Sequence, residues 1–184
     1  KVAGVLPIAM AAQAAGFKTI ILPQGNGREA TILKELDVIE ATSLNEVVEF
    51  LAGTREINPL PKTELEENEV IYPVDLKDVK GQEMAKRALE IAAAGGHNVL
   101  MHGPPGSGKT LLAQALISIL PPLAFEESLE VTRIYSVAGL LNEKLPFLTS
   151  RPFRQPHHTS SHVAIVGGGT YPRPGEITLA HRGV

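Results

Sequence analysis

The sequence contains no cysteine, and that absence excludes disulfides, thiolate zinc sites and cysteine nucleophiles while fitting a reducing compartment. No apolar run approaches the roughly 20 residues of a membrane span. The opening stretch KVAGVLPIAMAAQAAG has neither the long apolar region nor the small-residue cleavage site of a secretory signal. We therefore expect a cytoplasmic protein without membrane contact. A dominant charge is also missing: 17 Lys and Arg against 20 Asp and Glu give a formal net charge of -3. Any surface that attracts a polyanion must then be local. The hydrophobic share of 43% over 184 residues is enough for one ordinary domain or two small ones with a core.

What is there begins with two alternating periods. VLPIAMAAQAAG reads as a helix, FKTIILP as a short apolar strand, GREATILKEL as a second helix and DVIEA as a second strand. Ser43, Leu44, Asn45 and Glu46 spell a capping box. Its hydroxyl and carboxylate would serve early N–H groups of a helix ending near Gly53. This βα-type fragment carries no site chemistry, and because it opens on a helix we expect it to be the tail of a larger domain. Residues 54–74 change character, with Pro59, Pro61 and the acidic run ELEENE. They read as a linker, its charge run either a solvated tether or a partner-binding strip. The expected organisation is a first unit at 1–53, a linker at 54–74 and a second unit at 75–184.

In that second unit, Ala85, Ala88, Leu89 and Ala92 recur at helical spacing before Gly95 and Gly96. HNVLMHG reads as a buried strand, and KTLLAQALISIL as a helix packed through Leu112, Ala113, Leu116 and Ile117 and ended by Pro121 and Pro122. Between them lies HGPPGSGKT, in which Gly103, Gly108, Lys109 and Thr110 match G-x-x-x-x-G-K-[ST]. Glycines there let several backbone N–H groups turn toward one anion, and the following helix offers its positive end to the same place. Lys109 would reach the outer phosphates of a nucleotide, and Thr110 would hold Mg²⁺. Hydrolysis also needs an acidic strand end. Glu126, Glu127 and Glu130 look instead like the exposed face of a short helix, and ITLAHRGV closes as if a strand were beginning at Val184. We expect the acidic strand beyond it.

Between Glu143 and Glu176 the chain holds Lys144, Arg151, Arg154 and Arg173, with His157, His158 and His162, and no acid. This is either a phosphate-backbone contact, for instance lining a pore, or a scatter of surface side chains. On a helix His158 and His162 would share a face suited to a metal, yet no H-E-x-x-H is present, and capping or packing histidines are the expected reading. VGGGTYPRPGE reads as a turn stiffened by Pro172 and Pro174.

The segments DVKGQEMAKRALEIAAAGGHNVLMHGPPGSGKT, RPFRQPHHTSS and VGGGTYPRPGEITLAHRGV closely resemble the magnesium chelatase-like AAA+ ATPases of the bacterial YifB/ComM competence protein family. Residues 75–184 carry this resemblance, and the opening segment resembles the end of that family's Lon-protease-like domain. The resemblance implies an α/β fold: a partial Lon-like α/β domain followed by the N-terminal part of a P-loop AAA+ domain. Leu6 and Ile8 stand near where Lon peptidases carry a lysine, so no peptidase function is implied. Gly103, Pro104, Pro105, Gly106, Ser107, Gly108, Lys109, Thr110 and Leu111 would hold the phosphates of ATP or ADP, and Val79 and Gln82 would flank the adenine. Lys109 and Thr110 would be the catalytic pair, with Mg²⁺ on Thr110. The stretch from Thr170 to Gly175 matches an insert that projects toward the pore in related motors. The implied assembly is a homo-oligomeric ring, often a hexamer, driving DNA branch migration in natural transformation, with Arg151, Arg154 and Arg173 as DNA contacts. A chelatase-type or protein-remodelling ATPase is the alternative. The acidic Walker B residues, sensors, arginine finger and lid of such ATPases do not occur in the chain.

Overall fold

A computed structural model describes residues 2–63, 72–141, 146–170 and 172–184. The acidic run at 64–69, Lys144 and Tyr171 lie outside the described residues. The described chain is a mixed α/β structure whose elements run α1 (Val5–Ala14), β1 (Thr19–Pro23), β2 (Asp37–Ala41), α2 (Leu44–Leu51), α3 (Glu83–Gly95), α4 (Lys109–Ala115), α5 (Phe125–Ala138), α6 (His162–Val166), β3 (Gly167–Gly168), β4 (Arg173–Pro174) and α7 (Glu176–Leu179).

Strands β1 and β2 pair in parallel, with Thr19 opposite Asp37 and Pro23 opposite Ala41. A helix was expected between them at GREATILKEL. Only a 3-10 turn at Gly27–Glu29 forms, followed by turns. Ala30, Thr31, Ile32 and Leu33 are buried in succession, and four consecutive buried positions do not lie on one helical face. The segment is held by other means. The Thr31 and Thr63 hydroxyls bond at 2.6 Å, Glu40 accepts from the N–H groups of Gly25 and Gly27, and Lys62 donates to the Leu33 and Leu36 carbonyls. The capping box at α2 forms in altered shape. Ser43 accepts from the Glu46 N–H, while the Glu46 carboxylate reaches one residue further back, to the Thr42 N–H and hydroxyl.

Two apolar clusters organise the molecule. One joins Val5, Leu6, Ala9, Leu22, Leu36 and Val38 to Leu129 of α5 and to Phe147. The other joins Leu76, Val79 and Leu89 to Leu112 and Ala115, packing α3 and α4 together behind the glycine loop. Helix α5, expected as a short piece with an exposed acidic face, runs for 14 residues and buries Ser128, Leu129, Val131, Thr132 and Ser136. Its three buried hydroxyl residues are spaced by four, so they form one line. Thr132 donates to the Ser128 carbonyl and accepts from Leu148 N–H. The Ser136 hydroxyl accepts from Leu6 N–H at 3.3 Å and donates to Glu29 at 2.6 Å, while the Ser136 carbonyl accepts from Gly4 N–H at 2.8 Å.

The expected strand at 97–103 is not one. Backbone ladders need a partner, and no described strand lies beside this stretch, so Leu100 is left 95% exposed. At the other end, α7 is followed by turns. Val184 donates to the Pro152 carbonyl and accepts from Arg154 N–H, the exchange made by neighbouring parallel strands. Among the described residues, no helix is long and apolar enough to cross a membrane.

Removing the hydroxyl that ties α5 to α1 tests this packing. Ser136→Ala strands the Leu6 N–H and one Glu29 oxygen, so urea unfolding should show a loss of about 1–3 kcal/mol. A midpoint equal to that of the parent would mean that the hydroxyl contributes nothing.

Candidate functional site

The glycine loop sits between two packed helices. Leu89 of α3 and Leu112 of α4 are both buried in the second cluster, which fixes the spacing of the helices, and the loop closes over the gap. Gly106 and Gly108 take φ of 78° and 82°, left-handed values that a residue with a Cβ adopts only under strain. These turns precede Lys109, the first residue of α4, whose opening amides have no intrahelical acceptor, as at any helix start. Together they make a concave, donor-rich surface.

Lys109 completes that surface in a revealing way. Its ammonium donates to the carbonyls of Gly103 (2.9 Å) and Pro104 (2.7 Å) and to the Ser107 hydroxyl (3.2 Å). All three of its N–H bonds are therefore spent on the loop itself. Beside the loop lies a cleft of about 360 Å³, lined by Gln82, Ala85, Leu89, Met101, His102 and Lys109 among others. Thr110 is exposed at the second position of α4. Val79, expected with Gln82 to flank an adenine, is buried in the cluster behind the loop. Gln82 reaches the loop directly, its amide donating to the Ser107 carbonyl at 2.8 Å. That bond joins residues 25 apart, and no spacing rule would have found it.

The basic strip resolves into individual roles. Arg151 donates to the carbonyls of Pro121 and Arg182 and pairs with Glu127. Arg154 forms a two-point pair with Glu176 at 2.6 and 2.7 Å. Arg173 is exposed on β4 and makes no ion pair among the described residues. The acids suggested as a helix face are partners here: Glu127 and Glu130 hold Arg182, and His181 lies 3.2 Å from Glu130. Arg182 stands at φ 60° to make these contacts.

The histidine pair does not assemble. His162 starts α6 while His158 lies in the preceding turn, its ring 4.2 Å from that of His157. No group of three or more His, Asp or Glu suited to a metal occurs among the described residues. The turn expected at VGGGTYPRPGE is a two-stranded antiparallel hairpin, Gly167 opposite Pro174. It closes only because Gly175 has no side chain: a Cβ there would stand 2.3 Å from the Gly167 nitrogen.

Known proteins share this sequence. The pattern of the family described as magnesium chelatase, subunit ChlI, matches residues 75–184. Competence protein ComM of Haemophilus influenzae is 44% identical over 187 residues, which cover 98% of this chain and 36% of that protein. An uncharacterised protein of Mycobacterium tuberculosis is 45% identical over 184 residues, 100% of this chain and 36% of its own. YifB of Escherichia coli, also uncharacterised, is 42% identical over 167 residues, 91% of this chain and 32% of its own. The chain thus spans about a third of the length of these relatives.

The Arg154 pair gives the site region a pH signature. Its hydrogen bonds to Glu176 hold that carboxyl below the ordinary range. A lowered folded pKa contributes stability that is present above the unfolded value, about 4.3, and is lost as pH falls through the folded one. Glu176→Gln should therefore flatten the decline in thermal midpoint between pH 6 and pH 3. An equally steep decline in the variant would show that the pair carries none of it.

Proposed function

Because the chain belongs to the magnesium chelatase family, whose members are of AAA+ ATPase type, we propose that residues 103–111 hold the phosphates of ATP or ADP with Mg²⁺. The observation that supports this reading is the Lys109 ammonium bound by the carbonyls of its own loop, beside two left-handed glycines and a cleft of about 360 Å³. A phosphate presents to the ammonium the same kind of oxygen acceptor, with more negative charge. Lys109 would exchange its internal acceptors for phosphate oxygens, and the opening amides of α4 would add donors. The apolar wall of Ala85, Ala88 and Leu89 suits the flat face of a base. For the metal, the donor set fits Mg²⁺ bound mainly by phosphate and water, with the Thr110 hydroxyl as the protein ligand. The ion would supply charge neutralisation at the phosphate oxygens.

For the whole protein we propose an ATP-driven DNA motor that works as a hexameric ring in natural transformation; ComM, which aligns along 98% of the chain, is named a competence protein. Of the three arginines suggested as DNA contacts, Arg173 has its charge available. Arg151 and Arg154 would have to leave Glu127 and Glu176 to meet a phosphate backbone. Those internal pairs favour keeping the second reading, a chelatase-type or protein-remodelling ATPase, in which the same ring acts on a protein partner. In either case residues 1–53 would be the end of a Lon-like unit.

Two measurements separate these readings. Lys109→Ala should weaken binding of Mg²⁺ with ATP by tenfold or more, and an unchanged affinity would remove the phosphate-loop assignment. ATP hydrolysis by the full-length gene product should rise with single-stranded or branched DNA, with Arg173→Ala lowering the salt slope of DNA affinity by about one. A rate that depends on Lys109 and ignores DNA would favour the remodelling ATPase.

A further inference from the structure

Gln82 occupies a position that its own chemistry disfavours. It is the N-cap of α3, where Ser, Thr, Asp or Asn would satisfy an early amide, and its side chain makes no capping bond. Its backbone sits at φ 61° and ψ 34°, the left-handed region that suits Gly or Asn. Gly81, immediately before it, is also left-handed at φ 67°. Two local rules are broken at one residue, and the structure shows what the longer side chain does there. Its amide crosses from α3 to the glycine loop and donates to the Ser107 carbonyl at 2.8 Å.

That bond reaches further than its two atoms. The Ser107 carbonyl and the Gly108 N–H belong to one trans peptide plane, so they point in opposite directions. Drawing the carbonyl toward Gln82 aims the Gly108 N–H away from α3. The same carbonyl, left unbound, could rotate through ψ of Ser107 and φ of Gly108, and a glycine on that side tolerates the change. Gln82 therefore restrains the one peptide in the loop with a glycine on its carboxyl side and Lys109 next in line. Its backbone carbonyl meanwhile accepts from Lys86 N–H at 2.9 Å, anchoring the residue in the first turn of α3.

We propose that Gln82 is a positioning residue for the phosphate loop, setting the direction of its amides before an anion arrives and coupling the loop to α3. This rests on the nucleotide reading above and adds to it a role that does not require contact with the ligand. A glycine at 82 would relieve the strained backbone and lose the bond.

Three forms of the chain test this: the parent, Gln82→Gly and Gln82→Met. The glycine removes both the strain and the bond; the methionine keeps the length and neutrality of the side chain and removes the donor. Hydrogen exchange of the amides at 106–111 without ligand reads the loop, and titration with Mg²⁺ and a fluorescent ATP analogue reads the site. We expect Gln82→Gly to unfold at the same temperature as the parent or higher. Both variants should exchange faster at 106–111 and bind the nucleotide about five- to tenfold more weakly, the scale of one hydrogen bond. Faster exchange with unchanged affinity would overturn the positioning role, since the bond would then serve the loop alone. Weaker binding with unchanged exchange would also overturn it, since Gln82 would then act by touching the nucleotide. If the parent bound no nucleotide, the reading of the loop as a phosphate site would fall, while unchanged exchange in the variants would separately remove the tie.

Discussion

The line of hydroxyls along one side of α5 is the constraint on which the arrangement depends. Ser128, Thr132 and Ser136 are buried, and a buried hydroxyl without a partner is costly. Two of them reach other parts of the chain: Thr132 holds the backbone at Leu148, and Ser136 holds the start of α1 and the side chain of Glu29. A purely apolar face would allow α1 to slide along α5. These bonds specify one register, with Leu129 then filling the cluster beneath Val5, Leu6 and Ala9. The opposite side of α5 carries Glu127 and Glu130, which collect Arg151, Arg182 and His181 and so secure the C-terminal hairpin and α7. One helix thus joins the parallel strand pair to the segment that follows the glycine loop.

The sequence was legible where chemistry is contiguous. HGPPGSGKT could be read as a loop because all its parts lie within nine residues, and α1, β1, β2, α3 and α4 follow from unbroken apolar periods, although the helix expected over KTLLAQALISIL tightens to a 3-10 turn at Leu116–Ile119. It was misleading where a feature depends on distant residues. GREATILKEL has helical spacing, but its side chains are buried on successive positions by β2, Leu60 and Thr63. HNVLMHG has the composition of a strand and no described neighbour to pair with. The basic strip was defined by a window free of acids. The carboxylates that neutralise it stand at its edge, Glu176, and outside it, Glu127.

The family assignment and the physical reading meet at the loop and diverge elsewhere. Identity of 44% to ComM extends across both clusters, including α1 and β1, which contain no recognisable site chemistry. Residues there are explained by packing: Val5, Leu6 and Ala9 of α1 and Leu22 of β1 are buried. The loop shows the reverse pattern. Gln82 takes a strained left-handed backbone beside the left-handed glycines of the loop, and the surrounding helices hold the region through Leu89, Leu112 and Ala115.

Saturation of the Lys109 ammonium has a consequence for which anions can displace its internal partners. Two carbonyls and a hydroxyl already satisfy its three donors, so a newcomer has to offer more than hydrogen-bond acceptors of equal quality. On the nucleotide reading proposed above, a phosphate would have to replace three bonds that the loop already makes, so their loss would offset part of its attraction, and the advantage would lie with an anion whose negative charge, and not its acceptor count alone, exceeds that of a carbonyl.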